Sequence, residues 1–410
     1  MKIVIVGGGI AGLSAAIALR SPHRSIVVLE KSQMLKETGA LISLQPNASK
    51  IVSSWGIGSF LAPCGPMVDK AFRLFDKTGK LEREIKLDFA EFGADRILYH
   101  RQDLHTALKN AATSPDLPGK PAEICTASAV TGCDADEGTV TINGNEKIEA
   151  DVIVGADGIR SVVRKSLVGD GFDAIPTGIS AYRMLVPIEA LQGIQIPEGA
   201  FEPSEAVTTM IVGHDRRVIM GPGRNSTVFG IVALVPDSLT QAQSSADSWV
   251  NEGSIGAVLD AFQDFPSWLL EIFKRAPDHA LWQLRDIDPL PTWVQGRTLL
   301  IGDAAHAMLP TQGQGASQAI EDAEALNAFL GDLPDNATKE DVNKALVRVF
   351  ESRFGRASLI QRYSREQARP GTDGDSKKVK LDPGEFMKFN CDYSGANDWM
   401  NRVKQGTVNL

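Results

Sequence analysis

The start of the chain restricts it most. Residues 2–6, Lys-Ile-Val-Ile-Val, are apolar and β-branched, and they run into Gly7-Gly8-Gly9-Ile10-Ala11-Gly12, which opens an Ala- and Leu-rich stretch ending near residue 20. Gly7, Gly9 and Gly12 fit G-x-G-x-x-G between a strand and a helix, the setting in which the pattern marks a dinucleotide site rather than a simple turn. Gly7 permits the tight turn, Gly9 lets a pyrophosphate approach the backbone, and Gly12 lets helix and strand pack closely. The helix N-terminus at Ile10 and Ala11 then presents N–H groups and a positive dipole end to the phosphates. Residues 25–30 read as a second strand, which makes a β-α-β unit of a parallel sheet. Glu30 closes that strand 18 residues after Gly12. An acid there suits a ribose 2′-OH and disfavours a 2′-phosphate, and Lys31 beside it belongs to the same site.

Further along, 104–112 reads as a helix, 138–149 as a hairpin turning at Asn143-Gly144, and 151–155 as a buried strand. From about 173 to 290 the texture changes to short alternating runs at 179–187, 207–213, 217–221 and 227–235, the pattern of an antiparallel sheet. Residues 244–274 read as helical, with Trp249, Val250, Leu259, Phe262, Leu269 and Phe273 as apolar positions. A buried strand returns at 297–301. Helices are expected at 316–330, 339–367 and 384–404, with a polar mobile loop at 370–380. The fold class is α/β, with a dinucleotide-binding domain split in sequence by a β-rich insert.

Composition excludes other classes. With 42 Lys and Arg against 51 Asp and Glu, the net charge is −9, which argues against a nucleic-acid partner. The four cysteines, Cys64, Cys125, Cys133 and Cys391, show no C-x-x-C pair; neither a disulfide framework nor a metal site is expected, and reduced thiols in a cytoplasmic protein are. No apolar run reaches the ~18 residues of a membrane span, and the triple glycine argues against a secretory leader.

Two later segments make a resemblance specific. Gly155-Ala156-Asp157-Gly158-Ile159-Arg160-Ser161 follows one strand. Gly302-Asp303-Ala304-Ala305-His306 follows another, with Pro310, Gly313, Gly315 and Glu321-Asp322-Ala323 beyond it. In order and spacing with the N-terminal glycines, these resemble the three motifs of the single-component FAD-dependent aromatic hydroxylases, which include para-hydroxybenzoate and salicylate hydroxylases. The salicylate-hydroxylase-like branch is the nearer, through Gly39-Ala40-Leu41-Ile42 with Pro46-Asn47-Ala48 and through 286–293.

The resemblance implies a Rossmann-like FAD-binding domain at 1–172 and 291–365, an antiparallel-sheet substrate domain at 173–290 and a helical C-terminal segment at 366–410. It implies FAD as cofactor, NAD(P)H as a transient co-substrate, and O2. Oxygen transfer to an aromatic or other electron-rich small molecule would pass through a flavin C4a-hydroperoxide. Asp303 would accept from the ribityl hydroxyls. Gly313, Gly315 and Ala316 would bring N–H groups and a helix N-terminus to the flavin pyrimidine edge. Pro310 would shape the wall beside the ring. Gly39 and Ala40 belong to the second cofactor loop, Arg101 would contact the flavin nucleotide, and Asp157 and Gly158 would close the cleft.

On the substrate side, Tyr182 and Arg183 match a Tyr-Arg pair above the flavin, where Arg183 would hold a carboxylate or phenolate. His214 is a candidate general base on a phenol, and His306 a structural residue. Gly221-Pro222 departs from the Tyr-Pro of many salicylate-like relatives. No flavin-halogenase W-x-W-x-I-P occurs, and neither the C-terminal domain of the phenol-hydroxylase branch nor a membrane helix is expected. A flavin oxidase, dehydrogenase or epoxidase, or a non-catalytic flavin-binding protein, stays open, as does a monomer or homodimer.

Overall fold

A computed structural model describes residues 1–34, 40–197, 200–240, 250–334, 336–368 and 383–407. Lys2–Val6 is the centre of a six-stranded sheet ordered 294–295, 298–300, 152–155, 2–6, 25–29 and 123–125. The last five strands are parallel, and only 294–295 runs antiparallel. Ile3, Val4, Ile5, Val152, Ile153 and Val154 are fully buried, as continuous apolar strands must be when helices cover both faces. Helix Ile10–Ala18 packs against Arg101–Thr113 and Gly315–Leu330.

The second layer is an eight-stranded sheet ordered 250–252, 280–286, 175–187, 228–236, 217–223, 208–212, 71–76 and 81–86, antiparallel except where 208–212 meets 71–76. Two of its strands come from 71–86, well outside 173–290. One face carries its own core, with Tyr182, Met184, Phe229, Ile231 and Val218 under helices Ile255–Ala261 and Ser267–Lys274. The other face turns to the parallel-sheet layer: Leu309 clusters with Ala181, Leu234 and Leu284, and the Leu41 side chain lies against Gly223 and Gly230. The molecule is thus α/β, with a parallel nucleotide-type sheet, an antiparallel sheet over it, and helices at the C-terminal end.

The expected hairpin forms, with Thr139–Ile142 against Glu146–Glu149 and Asn143 and Gly144 at φ +50° and +87°. The expected 244–274 helix does not. Val250–Glu252 is an edge strand, and two helices follow, separated at Pro266. Gly253 breaks the run, since a Cβ there would stand 2.1 Å from the His279 carbonyl oxygen, and Ser254 caps the first helix by accepting from the Ala257 N–H at 3.1 Å. Trp249 lies outside the described residues, as do Gly39 and the loop at 370–380.

The 384–404 helix is two helices, Pro383–Cys391 and Ala396–Lys404. They part where the Tyr393 hydroxyl and the Ala396 N–H both donate to Glu324, at 2.9 and 3.0 Å. Among the described residues, no helix is long and apolar enough to cross a membrane.

Candidate flavin and substrate site

The first glycine loop is built by contact. Gly7 has φ +104°, and a Cβ on Gly12 would stand 1.9 Å from the Gly7 carbonyl oxygen. At Gly9 a Cβ would meet nothing within 4 Å, so this backbone is open to an outside group. No side chain caps the helix that starts at Ile10, which leaves N–H donors for an anion. The loop is held from behind by His105, whose Nε2 lies 2.7 Å from the Gly8 carbonyl oxygen; because a carbonyl only accepts, Nε2 carries the proton.

Glu30 accepts from the Gly8 N–H at 2.8 Å and the Ser32 N–H at 2.7 Å. Burial alone would raise its pKa, but these backbone donors hold it below the ordinary carboxylate value. It therefore stays an acceptor. Gly7, Gly9, Glu30 and Lys31 share a cleft of about 230 Å³ with Asp157, Gly158 and Arg160. A larger depression of about 590 Å³, beside Arg73 and Phe201, contains none of these residues.

Asp157 faces its own helix. It accepts from the Ser161 hydroxyl at 2.5 Å and from the Val162 and Val163 N–H groups at 2.7 and 3.2 Å. Burial raises its carboxyl in spite of these bonds. Arg164, buried beneath, donates to the Ile159 carbonyl at 2.6 Å and the Ala304 carbonyl at 3.2 Å, and so clips the Asp157-Gly158 turn to the Gly302-Asp303 turn.

Gly302 sits on the first helix: its Cβ would come 2.8 Å from that of Ala11. Asp303 is exposed and makes no hydrogen bond to a described side chain or backbone group, so its carboxylate faces outward as an acceptor. Pro310 is exposed in the turn Pro310–Gln312, followed by Gly313 at φ +60°. Gly315 and Ala316 begin the 315–330 helix, which also lacks a side-chain cap, and a Cβ on Gly315 would meet nothing within 4 Å. Two uncapped helix ends and two backbone positions open to outside atoms make the chain's residues fit an FAD.

Asp322 holds the second turn from inside. It accepts from the Gly302 N–H at 2.9 Å, His306 Nε2 at 2.7 Å and Arg353 Nε at 2.9 Å, and His306 packs on the Trp293 ring. Burial would raise the Asp322 carboxyl, but the His306 and Arg353 charges win and hold it at about 2. A carboxylate depressed below its unfolded value of about 3.9 stabilises the fold above about pH 4, and the contribution fades as pH falls through the folded value. Two units correspond to about 2–3 kcal/mol. Asp322→Asn is expected to flatten the stability loss between pH 4 and pH 2. Urea titrations of both proteins across that range test it, and parallel curves contradict it.

The substrate side departs from expectation. Tyr182 and Arg183 are successive strand residues, so their side chains leave opposite faces. Tyr182 is 1% exposed within the core beneath helices 255–274 and does not face the parallel-sheet layer. Arg183 is on the face that does. Its guanidinium lies 4.7 Å over the Trp282 ring and has no hydrogen bond or ion pair to a described residue. Burial first, and the nearby Arg101 charge second, lower it to about 10. Arg101 opens its helix with its N–H on the Ala40 carbonyl at 2.8 Å. His214 is exposed in the turn between 208–212 and 217–223, next to Gly213, whose Cβ would meet the Phe265 ring at 2.9 Å. That turn leans to the helix-covered face, away from Arg183. Gly221 pairs with Gly230 on the Arg183 face, where a Cβ on Gly230 would stand 2.4 Å from the Leu41 side chain and one on Gly221 3.1 Å from the Val207 carbonyl oxygen, so neighbouring residues already cover this stretch.

His105 and Arg164 escaped the sequence reading. Their partners lie 97 and 140 residues away, and no local spacing announces either.

Comparison with known proteins agrees with this geometry. The family profile described as FAD binding domain matches residues 1–341. The FAD-dependent monooxygenase cfoG of Aspergillus candidus is 33% identical over 376 residues, covering 88% of this chain and 84% of its own. The 3-hydroxybenzoate 6-hydroxylase 1 of Aquipseudomonas alcaligenes is 33% identical over 369 residues, covering 89% and 88%. A solved salicylate hydroxylase substrate complex matches with a TM-score of 0.79 at 29% identity, over 98% of this chain and 97% of that one. The chain therefore belongs to the FAD binding domain family, as an FAD-dependent monooxygenase of the aromatic-hydroxylase type.

Proposed function

We propose that the protein uses NAD(P)H and O2 to hydroxylate a small aromatic compound bearing a carboxylate or an ionisable phenol. The observation that carries this reading is Arg183, a half-buried cation with no anionic partner among the described residues and Arg101 as its charged neighbour. A ligand anion would relieve both its desolvation and that repulsion. FAD, when bound, supplies the two-electron chemistry and the activation of oxygen.

The chain's own residues do the rest. Arg183 pairs with the substrate anion and, on a phenol, favours the electron-rich phenolate. Ile219 and Val232 lie on the same sheet face and exclude water from the reacting ring. The Gly315 helix end favours negative charge on the pyrimidine edge.

The test is anaerobic reduction of the holoprotein by NADPH or NADH, alone and with a panel of phenols, aryl acids and indoles. One ligand is expected to speed flavin bleaching at least tenfold and, with O2 admitted, to gain one oxygen atom. Oxygen uptake that yields only hydrogen peroxide under every ligand would make the protein an oxidase instead.

A further inference from the structure

We infer that the C-terminal segment, residues 383–404, is a positioning element for the flavin loop, acting through a buried relay of side chains that runs from Arg356 to Glu321 and, by way of Asn47 and Gln318, to Gln314. The inference rests on the placement of the flavin at Gly313–Gly315. The relay begins in the tail. Arg356 donates to the Phe389 carbonyl at 2.8 Å and the Asn390 carbonyl at 2.7 Å. Its guanidinium lies 4.9 Å from the Trp399 ring centre and 5.1 Å from those of Phe389 and Tyr393. The tail therefore supplies both acceptors and an aromatic box for this cation.

From there Arg356 grips Glu321 with two bonds, Nε to Oε2 at 2.8 Å and Nη2 to Oε1 at 2.9 Å. The same carboxylate is paired with buried Arg353 and accepts from Asn47 Nδ2 at 2.5 Å and Gln318 Nε2 at 3.2 Å, and each of these two amide nitrogens also lies 3.2 Å from Gln314 Oε1. Gln314 stands between Gly313 and Gly315 as the N-cap residue of the 315–330 helix. Arg356, Glu321 and Asn47 are fully buried and Gln314 is 1% exposed. Burial shields these side chains from bulk solvent, and each link fixes the next.

A buried arginine stripped of its carbonyls and rings cannot keep this geometry, because the dehydrated charge must be re-solvated. Glu321 then loses two of its hydrogen bonds and turns toward Arg353, which shifts the carboxylate that aims Asn47 and Gln318 at Gln314. The flavin loop loosens through this relay. Asn47 and Glu321 are positioning residues in this account; neither acts on the substrate.

The experiment titrates FAD into deflavinated full-length protein, reading flavin fluorescence for Kd and the visible spectrum of the bound form. Trp399→Ala is expected to raise Kd about tenfold, and Phe389→Leu, which keeps most of the volume, to raise it less. Both effects are expected to shrink below about twofold in an Asn47→Leu/Gln318→Leu background, because both links from Glu321 to Gln314 are already cut there. Melting of the apoprotein, followed separately, reports any loss of fold. The inference is overturned if Trp399→Ala lowers the melting temperature yet leaves Kd within twofold, or if its effect persists undiminished beside Asn47→Leu/Gln318→Leu. If Gln314→Ala itself leaves Kd and spectrum unchanged, the flavin does not sit on this loop and the inference falls with that placement.

Discussion

Arg183→Gln is expected to weaken binding of the stimulating aromatic ligand by a factor of about 10²–10³ and to leave FAD at full occupancy. Truncating one side of a desolvated charge-assisted pair costs about 2–5 kcal/mol, much of it from the partner charge left buried alone. Here the cation is already half-buried over Trp282 and faces Arg101 rather than an acid, so the ligand is its counter-ion. Arg183→Lys keeps the charge but loses the planar fork and its stacking on the indole, and is expected to recover only part of the loss. Ligand-induced changes in the flavin spectrum measure Kd directly for each variant. A loss of less than threefold for Arg183→Gln would move the anion site elsewhere.

The second large effect separates two glycines three residues apart. Gly12→Ala puts a methyl group 1.9 Å from the Gly7 carbonyl oxygen and 3.1 Å from its carbon. Both are backbone atoms, so no rotamer relieves the clash, and the helix must leave the strand. A stability loss of about 3 kcal/mol or more is expected, at or above the upper end of the overpacking range. Gly9→Val meets nothing of the protein within 4 Å of its Cβ. Apoprotein stability should stay within about 0.5 kcal/mol, as for a surface change. FAD affinity should nevertheless fall at least a hundredfold, because the new side chain occupies the approach of the pyrophosphate. Urea unfolding of the apoproteins and FAD titration decide it. A Gly9→Val protein that binds FAD normally would show that the pyrophosphate does not cross this loop.

Much of the scaffold was legible because it is written locally. The 2–30 β-α-β unit, the hairpin at Asn143-Gly144 and the strand at 152–155 each depend on residues within a few positions of one another. Other readings failed where a single long-range contact outweighed the local pattern. The apolar period across 244–274 suits a helix, yet Gly253 sits where only a hydrogen clears the His279 carbonyl. Tyr182 and Arg183 look like a functional pair in the sequence, but strand alternation assigns one to the core and one to the face turned to the parallel-sheet layer, and adjacency cannot say which is which. His214 lies in a turn whose lean toward Phe265 belongs to tertiary packing.

The chain on its own determined that a dinucleotide would bind and where three turns would meet it, because turn geometry and strand burial are encoded by neighbouring residues. Only the tertiary structure decided what holds those turns in place. The Gly8 carbonyl rests on His105, Ala304 on Arg164, and the Gln314 side chain on Asn47, 267 residues away. Buried polar groups must find partners wherever the fold brings them. Those partners are set by proximity in space, and neither period nor spacing in the sequence carries that information.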